Sequence, residues 1–221
     1  MTVGQDIADL YRRNFGLSAE VVMNAPGRVD LEFRPVEPTQ ISLIYHGVAN
    51  PRRELDKLVE MAGLLDDRYT LHFMLVRDHV GYSQELRRLS ERVARGRVFF
   101  RNPVDPTEVV STIAHFDLGI CVIPPKPVSY RYALPNKFFE CIVAGLPVLV
   151  GPSPEMERLV RLHSIGLVAE GCEPRTLATI LNELRPEDIN RMKENALRAA
   201  RRLNADIEMG KLMQIYERLL V

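Results

Sequence analysis

The sequence of 221 residues lacks the patterns on which several classes of protein depend. It has only three cysteines, and their wide spacing fits no zinc-binding pattern; they are Cys121, Cys141 and Cys172. An odd number of thiols, two of them inside apolar runs, is typical of buried free cysteines in a reducing compartment. The five histidines form no HxxxH or HExxH pair. We therefore expect no metal site.

The chain also lacks an excess of charge of either sign, since 29 basic residues balance 29 acidic ones. A surface that follows nucleic acid or an anionic membrane needs an excess of Lys and Arg, so we expect no nucleic-acid partner and only a local anion site. No apolar run approaches 18 residues, and no signal-peptide pattern opens the chain. These features predict a cytoplasmic protein without a transmembrane segment, and leave open a peripheral membrane association of a longer protein.

Two glycine-rich phosphate-binding patterns are missing as well. No GxGxxG follows an apolar run, which argues against a nicotinamide-dependent oxidoreductase, and no GxxxxGK[ST] phosphate loop occurs. The chain does contain 46% apolar and 26% charged residues, as folded globular proteins do. A chain of this size can bury about 70% of its unfolded surface, which is enough for a substantial core.

Six short apolar runs alternate with segments of helical periodicity from residue 41 onward. The runs predict strands buried on both faces, at residues 41–46, 71–76, 97–100, 117–122, 147–150 and 166–170. Two longer amphipathic segments, about 186–203 and 206–220, close the chain. This order predicts an α/β fold, a Rossmann-like doubly wound parallel sheet of about six strands with helices on both faces.

The first forty residues do not follow this alternation. A helix-like segment (6–16) and a strand-like segment (20–24) precede a Pro- and acid-rich stretch (27–38) that is typical of a linker. One helix and one strand cannot form a core. We therefore expect residues 1–40 to be the tail of a preceding domain with its linker, and residues 41–221 to be the domain proper.

The loop after the first predicted strand contains a possible phosphate site. Ligands of open parallel sheets bind beyond the carboxyl ends of the strands. This loop begins at Gly47 and brings Arg52 and Arg53 to the start of a helix. A guanidinium there can hold a phosphate through two hydrogen bonds. A solvated first turn without a ligand is an equally good interpretation of this loop alone.

The stretch PNKFFECIVAG predicts a short helix from Pro135 to Gly145. Asn136 and Lys137 lie in its first turn, where free N–H groups and the helix dipole favour an anion such as a diphosphate. Glu140 lies one turn further along the same face, where its oxygens could accept both hydroxyls of a ribose. Alternatively, Glu140 offsets the helix dipole or pairs with Lys137.

The core PNKxFExxxAGxPV, with YHGVANPRREL upstream and IGLVAEGCEPRTLATILNEL downstream, resembles the C-terminal donor-binding domain of GT-B glycosyltransferases, in the large retaining group called family 4. The resemblance covers about residues 41–221. It implies a hexosyltransferase-like enzyme of polysaccharide or glycoconjugate synthesis that takes a UDP-, GDP- or ADP-sugar as donor substrate and needs no other cofactor. It also implies an N-terminal acceptor-binding domain that is absent from this chain, without which little transfer is expected.

The resemblance assigns roles to the residues that match the family pattern. Glu140 would hold the ribose, the helix start at Asn136 and Lys137 would hold the diphosphate, and Arg53 would contact the same phosphates. The catalytic groups would then be Arg53, Lys137 and Glu140, acting by stabilising the departing diphosphate without a metal. The nucleotide-sugar site would comprise Gly47, Tyr132, Asn136, Lys137, Phe138 and Glu140.

Two positions depart from the family pattern. Tyr132 stands where family members have an acid near the transferred sugar, and Val48 stands where they have an arginine. We interpret Tyr132 as a feature of a subgroup that carries the sequence ALPNK. The departures nevertheless leave a second hypothesis, a non-catalytic Rossmann-like domain kept as an interaction or regulatory module.

Overall fold

The structure, a computed structural model, describes residues 1–220. Its centre is one six-stranded sheet with the order β3-β2-β1-β4-β5-β6, in which all neighbouring strands are parallel. The strands are β1 (Ile41–Val48), β2 (Tyr69–Val76), β3 (Val98–Arg101), β4 (Leu118–Cys121), β5 (Val148–Val150) and β6 (Gly166–Val168). The predicted α/β Rossmann-like class is confirmed.

Helices occupy the connections between the strands and both ends of the chain. They are α1 (Gln5–Phe15), α2 (Leu55–Leu64), α3 (Tyr82–Val93), α4 (Val109–Ile113), α5 (Val128–Arg131), α6 (Asn136–Val143), α7 (Pro154–His163), α8 (Pro174–Asn182), α9 (Pro186–Ala200) and α10 (Ala205–Leu220). Proline opens α7, α8 and α9, where its fixed φ and missing N–H cost nothing. In residues 1–220 no helix is both long and apolar enough to cross a membrane.

The core consists of two apolar layers, one on each face of the sheet. Leu43 and Tyr45 of β1 belong to the layer with α2, α3 and α8, whereas Ile44 belongs to the layer with α4, α6 and α7. The expectation of burial on both faces was wrong for the edge strands. Phe99 of β3 is 42% exposed, and every residue of β6 is only half-buried, because an edge strand has one neighbour and incomplete helix cover.

The strand predicted at residues 20–24 was also wrong. Val21 forms a single parallel bridge with Thr2, and one pair cannot extend into a ladder without further partners. The N-terminal segment instead packs on α7 and α10. The backbone N–H of Met23 donates to Glu208 of α10 at 2.8 Å, and the N–H of Asp6 in α1 donates to the buried Glu155 of α7.

A buried ion pair joins the sheet to α9. Lys193 Nζ lies 3.1 Å from Asp117 Oδ1, and both residues are almost fully buried. Asp117 Oδ2 also accepts the backbone N–H of Ser42 at 2.9 Å and its hydroxyl at 2.8 Å. Burial lowers the pKa of Lys193, and the carboxylate of Asp117 opposes that shift. Asp117 thus ties β1, the start of β4 and α9 together.

Removing this carboxylate should destabilise the chain strongly. We expect Asp117→Ala to lower the free energy of unfolding by about 3–5 kcal/mol, because the Lys193 charge stays buried without a partner. Lys193→Met should cost less, since Asp117 keeps both bonds to Ser42. The double variant should cost less than the sum of the two, as urea unfolding would measure. Additive losses would show that the ion pair contributes nothing.

Candidate functional site

The crevice of this sheet lies between β1 and β4, where the strand order reverses. The two strands pair only at Leu43 with Leu118 and at Ile44 with Gly119, although β1 continues to Val48. Beyond Ile44 they have no paired residues, and their connections run to opposite faces of the sheet. The predicted site residues lie at or beyond the ends of these two strands: Gly47 is near the end of β1, Arg53 follows β1, and Tyr132 to Glu140 follow β4.

Gly47, predicted as the first residue of the loop, lies inside β1 instead, where it pairs with Leu75 of β2. It has a φ of 128°, which favours glycine. Further along, Asn50 Oδ1 accepts the backbone N–H of Arg52 at 2.9 Å and caps the 3₁₀ turn Pro51–Arg53. This cap fixes the position from which the Arg53 side chain extends. Arg52 itself is exposed.

The Arg53 guanidinium is held by an aromatic ring. Its Cζ lies 4.3 Å from the centre of the Tyr130 ring, which belongs to α5 in the connection after β4. The Nη1 atom of Arg53 is buried and has no hydrogen-bond partner within residues 1–220. A buried guanidinium N–H without an acceptor is costly. Arg53 therefore offers a donor suited to an anionic ligand.

Lys137 is the second cation of the site and is similarly held. Only 9% of the residue is exposed, and its Nζ lies 3.7 Å from the centre of the Tyr45 ring. It forms no ion pair with the part of the chain that the structure describes. The backbone N–H groups of Asn136 and Lys137 likewise have no carbonyl partner there. Both features concentrate positive potential at the start of α6.

Three other predicted residues differ in what they can offer. The Oδ1 atom of Asn136 accepts a hydrogen bond of 2.7 Å from Asn24, which leaves its backbone N–H and its side-chain Nδ2 as donors for a ligand. Phe138 is fully buried and packs edge-to-face on Phe139, because this face of α6 points into the core. The Phe138 side chain therefore offers no exposed surface to a nucleotide in this structure. Tyr132, half-buried, caps the C-terminal end of α5.

Glu140 pairs with a residue that the sequence reasoning missed. Its Oε2 lies 2.7 Å from His46 Nε2, and no hydrogen bond joins it to Lys137, so the alternative pairing with that lysine was wrong. The His46 side chain is 6% exposed, whereas that of Glu140 is 23% exposed. The available signal was a histidine directly before Gly47, at the polar end of an otherwise apolar run.

Two buried thiols lie near Glu140, one on β4 and one on α6. Cys121 of β4 and Cys141 of α6 are free and fully buried, and the hydrogen bond between them, together with burial, raises the pKa of Cys141 well above its ordinary value. Cys172 is only partly buried, and desolvation raises its pKa to about 11. No cluster of three metal-binding side chains occurs in residues 1–220.

No family model matches the chain. A succinoglycan biosynthesis protein, ExoL of Rhizobium meliloti, is 29% identical over 147 residues, which are 64% of this chain and 35% of ExoL. The chain thus spans about a third of the length of this curated relative.

Solved glycosyltransferase structures share the fold. Sucrose-phosphate synthase of Thermosynechococcus elongatus matches 99% of this chain and 58% of its own, with a TM-score of 0.76 and 17% identity. HepE of Anabaena, solved in complex with UDP-glucose, matches 99% of this chain and 62% of its own, with a TM-score of 0.74 and 16% identity. The chain has the fold of the C-terminal Rossmann-like half of GT-B glycosyltransferases, which confirms the resemblance at the level of fold.

The close approach of β4 to α6 gives a test of how the site helix is positioned. A Cβ on Gly119 would lie 2.4 Å from Cys141 Sγ. We expect Gly119→Ala to lower the free energy of unfolding by about 1–3 kcal/mol, since the added methyl displaces α6. In a Cys141→Ala background the same change should cost less.

Urea unfolding of the four variants would measure both effects. Gly171→Ala is the matched control, because a Cβ there meets no atom within 4 Å. An equal cost of Gly119→Ala in both backgrounds would contradict the proposed contact.

Proposed function

We propose that this chain is the donor-binding part of a glycosyltransferase that uses a nucleoside-diphosphate sugar. One observation carries the proposal. Two cations, Arg53 and Lys137, are held against aromatic rings rather than carboxylates, and one of them has a buried donor without an acceptor. A diphosphate beside the free N–H groups of α6 would satisfy all of these groups at once.

The ribose hydroxyls are proposed to bind Glu140. Its carboxylate lies one helical turn from the N–H groups of α6, on the face that carries Asn136. Oε2 is occupied by His46, and Oε1 has no hydrogen-bond partner in the described chain. A partly exposed carboxylate with one free oxygen can accept a sugar hydroxyl. The distance of one turn suits a ribose attached to the bound diphosphate.

In the proposed reaction the bond between the sugar C1 and the diphosphate oxygen breaks, and its electron pair goes to the diphosphate. A bond forms between C1 and an acceptor hydroxyl, whose proton passes to the departing diphosphate. Arg53, Lys137 and the α6 amides would stabilise the negative charge that develops on the leaving group, which lowers the barrier without a metal. A retaining outcome is implied by the family resemblance alone.

The acceptor would bind to a further domain. The chain spans only part of the relatives it matches. Exposed apolar side chains of α1, of the segment just after α1 and of α10 offer a surface for that domain. These side chains are Tyr11, Phe15, Leu17, Met213, Leu219 and Leu220. Nearby, Arg218 of α10 pairs with Glu20 at 2.7 Å. The name of ExoL supports an acceptor in polysaccharide or glycoconjugate synthesis.

A thermal-shift panel of UDP, GDP, ADP and their sugar nucleotides tests donor binding without the acceptor domain. At about 100 times its Kd, a ligand stabilises by about 2.7 kcal/mol, which raises Tm by about 5–10 °C for a chain of this size. We expect such a rise with at least one nucleotide, and its loss in Arg53→Ala and Glu140→Ala.

The matched controls are Arg95→Ala and Glu91→Ala. Both side chains are exposed, at 86% and 74%, and lie on the far side of the fold from the α6 start, in and after α3. These variants should keep the full shift. Absence of a shift with every nucleotide would overturn the proposal and favour the non-catalytic interaction module.

A further inference from the structure

We infer that His46 is a positioning residue for Glu140, holding its carboxylate in the orientation that receives the ribose. The inference rests on the proposed function and deepens it, because it adds a residue to the ribose subsite. In this arrangement His46 donates its Nε2–H to Glu140 Oε2. Glu140 Oε1 then remains available to the hydroxyls of the donor.

The first support is the path of the hydrogen bond across the crevice. His46 belongs to β1 and Glu140 to α6, which follows β4. The two strands no longer pair with each other at this level of the sheet. The hydrogen bond therefore joins β1 directly to α6 across the crevice.

The second support is the difference in burial between the partners. His46 is almost fully buried in a strand whose register with β2 sets it beside Met74. Its ring is thus held by the sheet, while the more exposed Glu140 has three rotatable side-chain bonds. When a fixed N–H group holds a flexible carboxylate, less conformational freedom is lost on ligand binding. His46 would therefore act as a positioning residue and not as a group that contacts the sugar nucleotide.

The chemistry also fixes the required form of the ring. A carboxylate only accepts hydrogen bonds, so the ring nitrogen that faces Glu140 must carry the proton. Glutamine can present an amide N–H at a position similar to Nε2, whereas phenylalanine fills the same volume without a donor. These two substitutions separate the hydrogen bond from simple packing.

The experiment measures ribose-dependent affinity in the 221-residue chain. Its probes are whichever of UDP, GDP and ADP gives the largest thermal shift, the 2′,3′-dideoxy analogue of that nucleotide, and inorganic pyrophosphate. In wild type, the ribonucleotide should bind more tightly than the dideoxy analogue. In His46→Phe, we expect the ribonucleotide Kd to rise about tenfold, with little change for the analogue or for pyrophosphate.

Rescue by the conservative variant completes the test. His46→Gln should recover most of the preference for the ribonucleotide, and the Tm of each unliganded variant reports whether the fold is intact. The inference is overturned if His46→Phe keeps the wild-type preference, or if it weakens pyrophosphate binding equally, which would indicate a structural role. In both cases the proposed function survives.

Failure of the proposed function has a different signature. If no nucleoside diphosphate binds wild type, donor binding is wrong and the inference falls with it. If wild type binds the ribonucleotide and the dideoxy analogue equally, the ribose role of Glu140 is wrong, and so is the role of His46, while the diphosphate site stands.

Discussion

The structure depends on one constraint, the early end of pairing between β1 and β4. These strands share two residue pairs, and β1 then runs four residues further without a partner on that side. Asp117 secures the base of this junction through Ser42 and Lys193, so the strands separate above a fixed point. Every group of the candidate site lies where they separate, because parallel strands deliver all their following loops to one edge.

The electrostatic potential at this edge of the sheet is positive, although the net charge of the whole chain is zero. With 29 basic and 29 acidic residues, no general field attracts an anion. The positive potential arises locally, because Arg53 and Lys137 contact aromatic faces, which hold a cation without neutralising it. Carboxylate partners would have cancelled the same charges. Local potential of this kind suits a small anionic ligand better than a long polyanion.

Sequence reasoning predicted the fold better than the details of the site. The apolar runs located all six strands to within two residues at each end, since buried parallel strands need continuous apolar sequence. Helical spacing put Asn136 and Glu140 on one face of α6, but it could not show that Asn24 donates a hydrogen bond to Oδ1 of Asn136. Nor could it show that His46 reaches Glu140, because contacts across the crevice depend on strand splay and not on local sequence.

The contact of Glu140 with His46 shows that a structural partner and a ligand need not compete for this residue. Binding a ribose and pairing with a neighbouring side chain were alternatives in the sequence, but a carboxylate has two oxygens and His46 contacts only one of them. The buried His46 holds Oε2, and Oε1 has no hydrogen-bond partner within residues 1–220, on a side chain that is 23% exposed. Tyr132, which replaces an acid of the family pattern, takes part in none of these contacts. The proposed diphosphate and ribose contacts are therefore independent of that replacement.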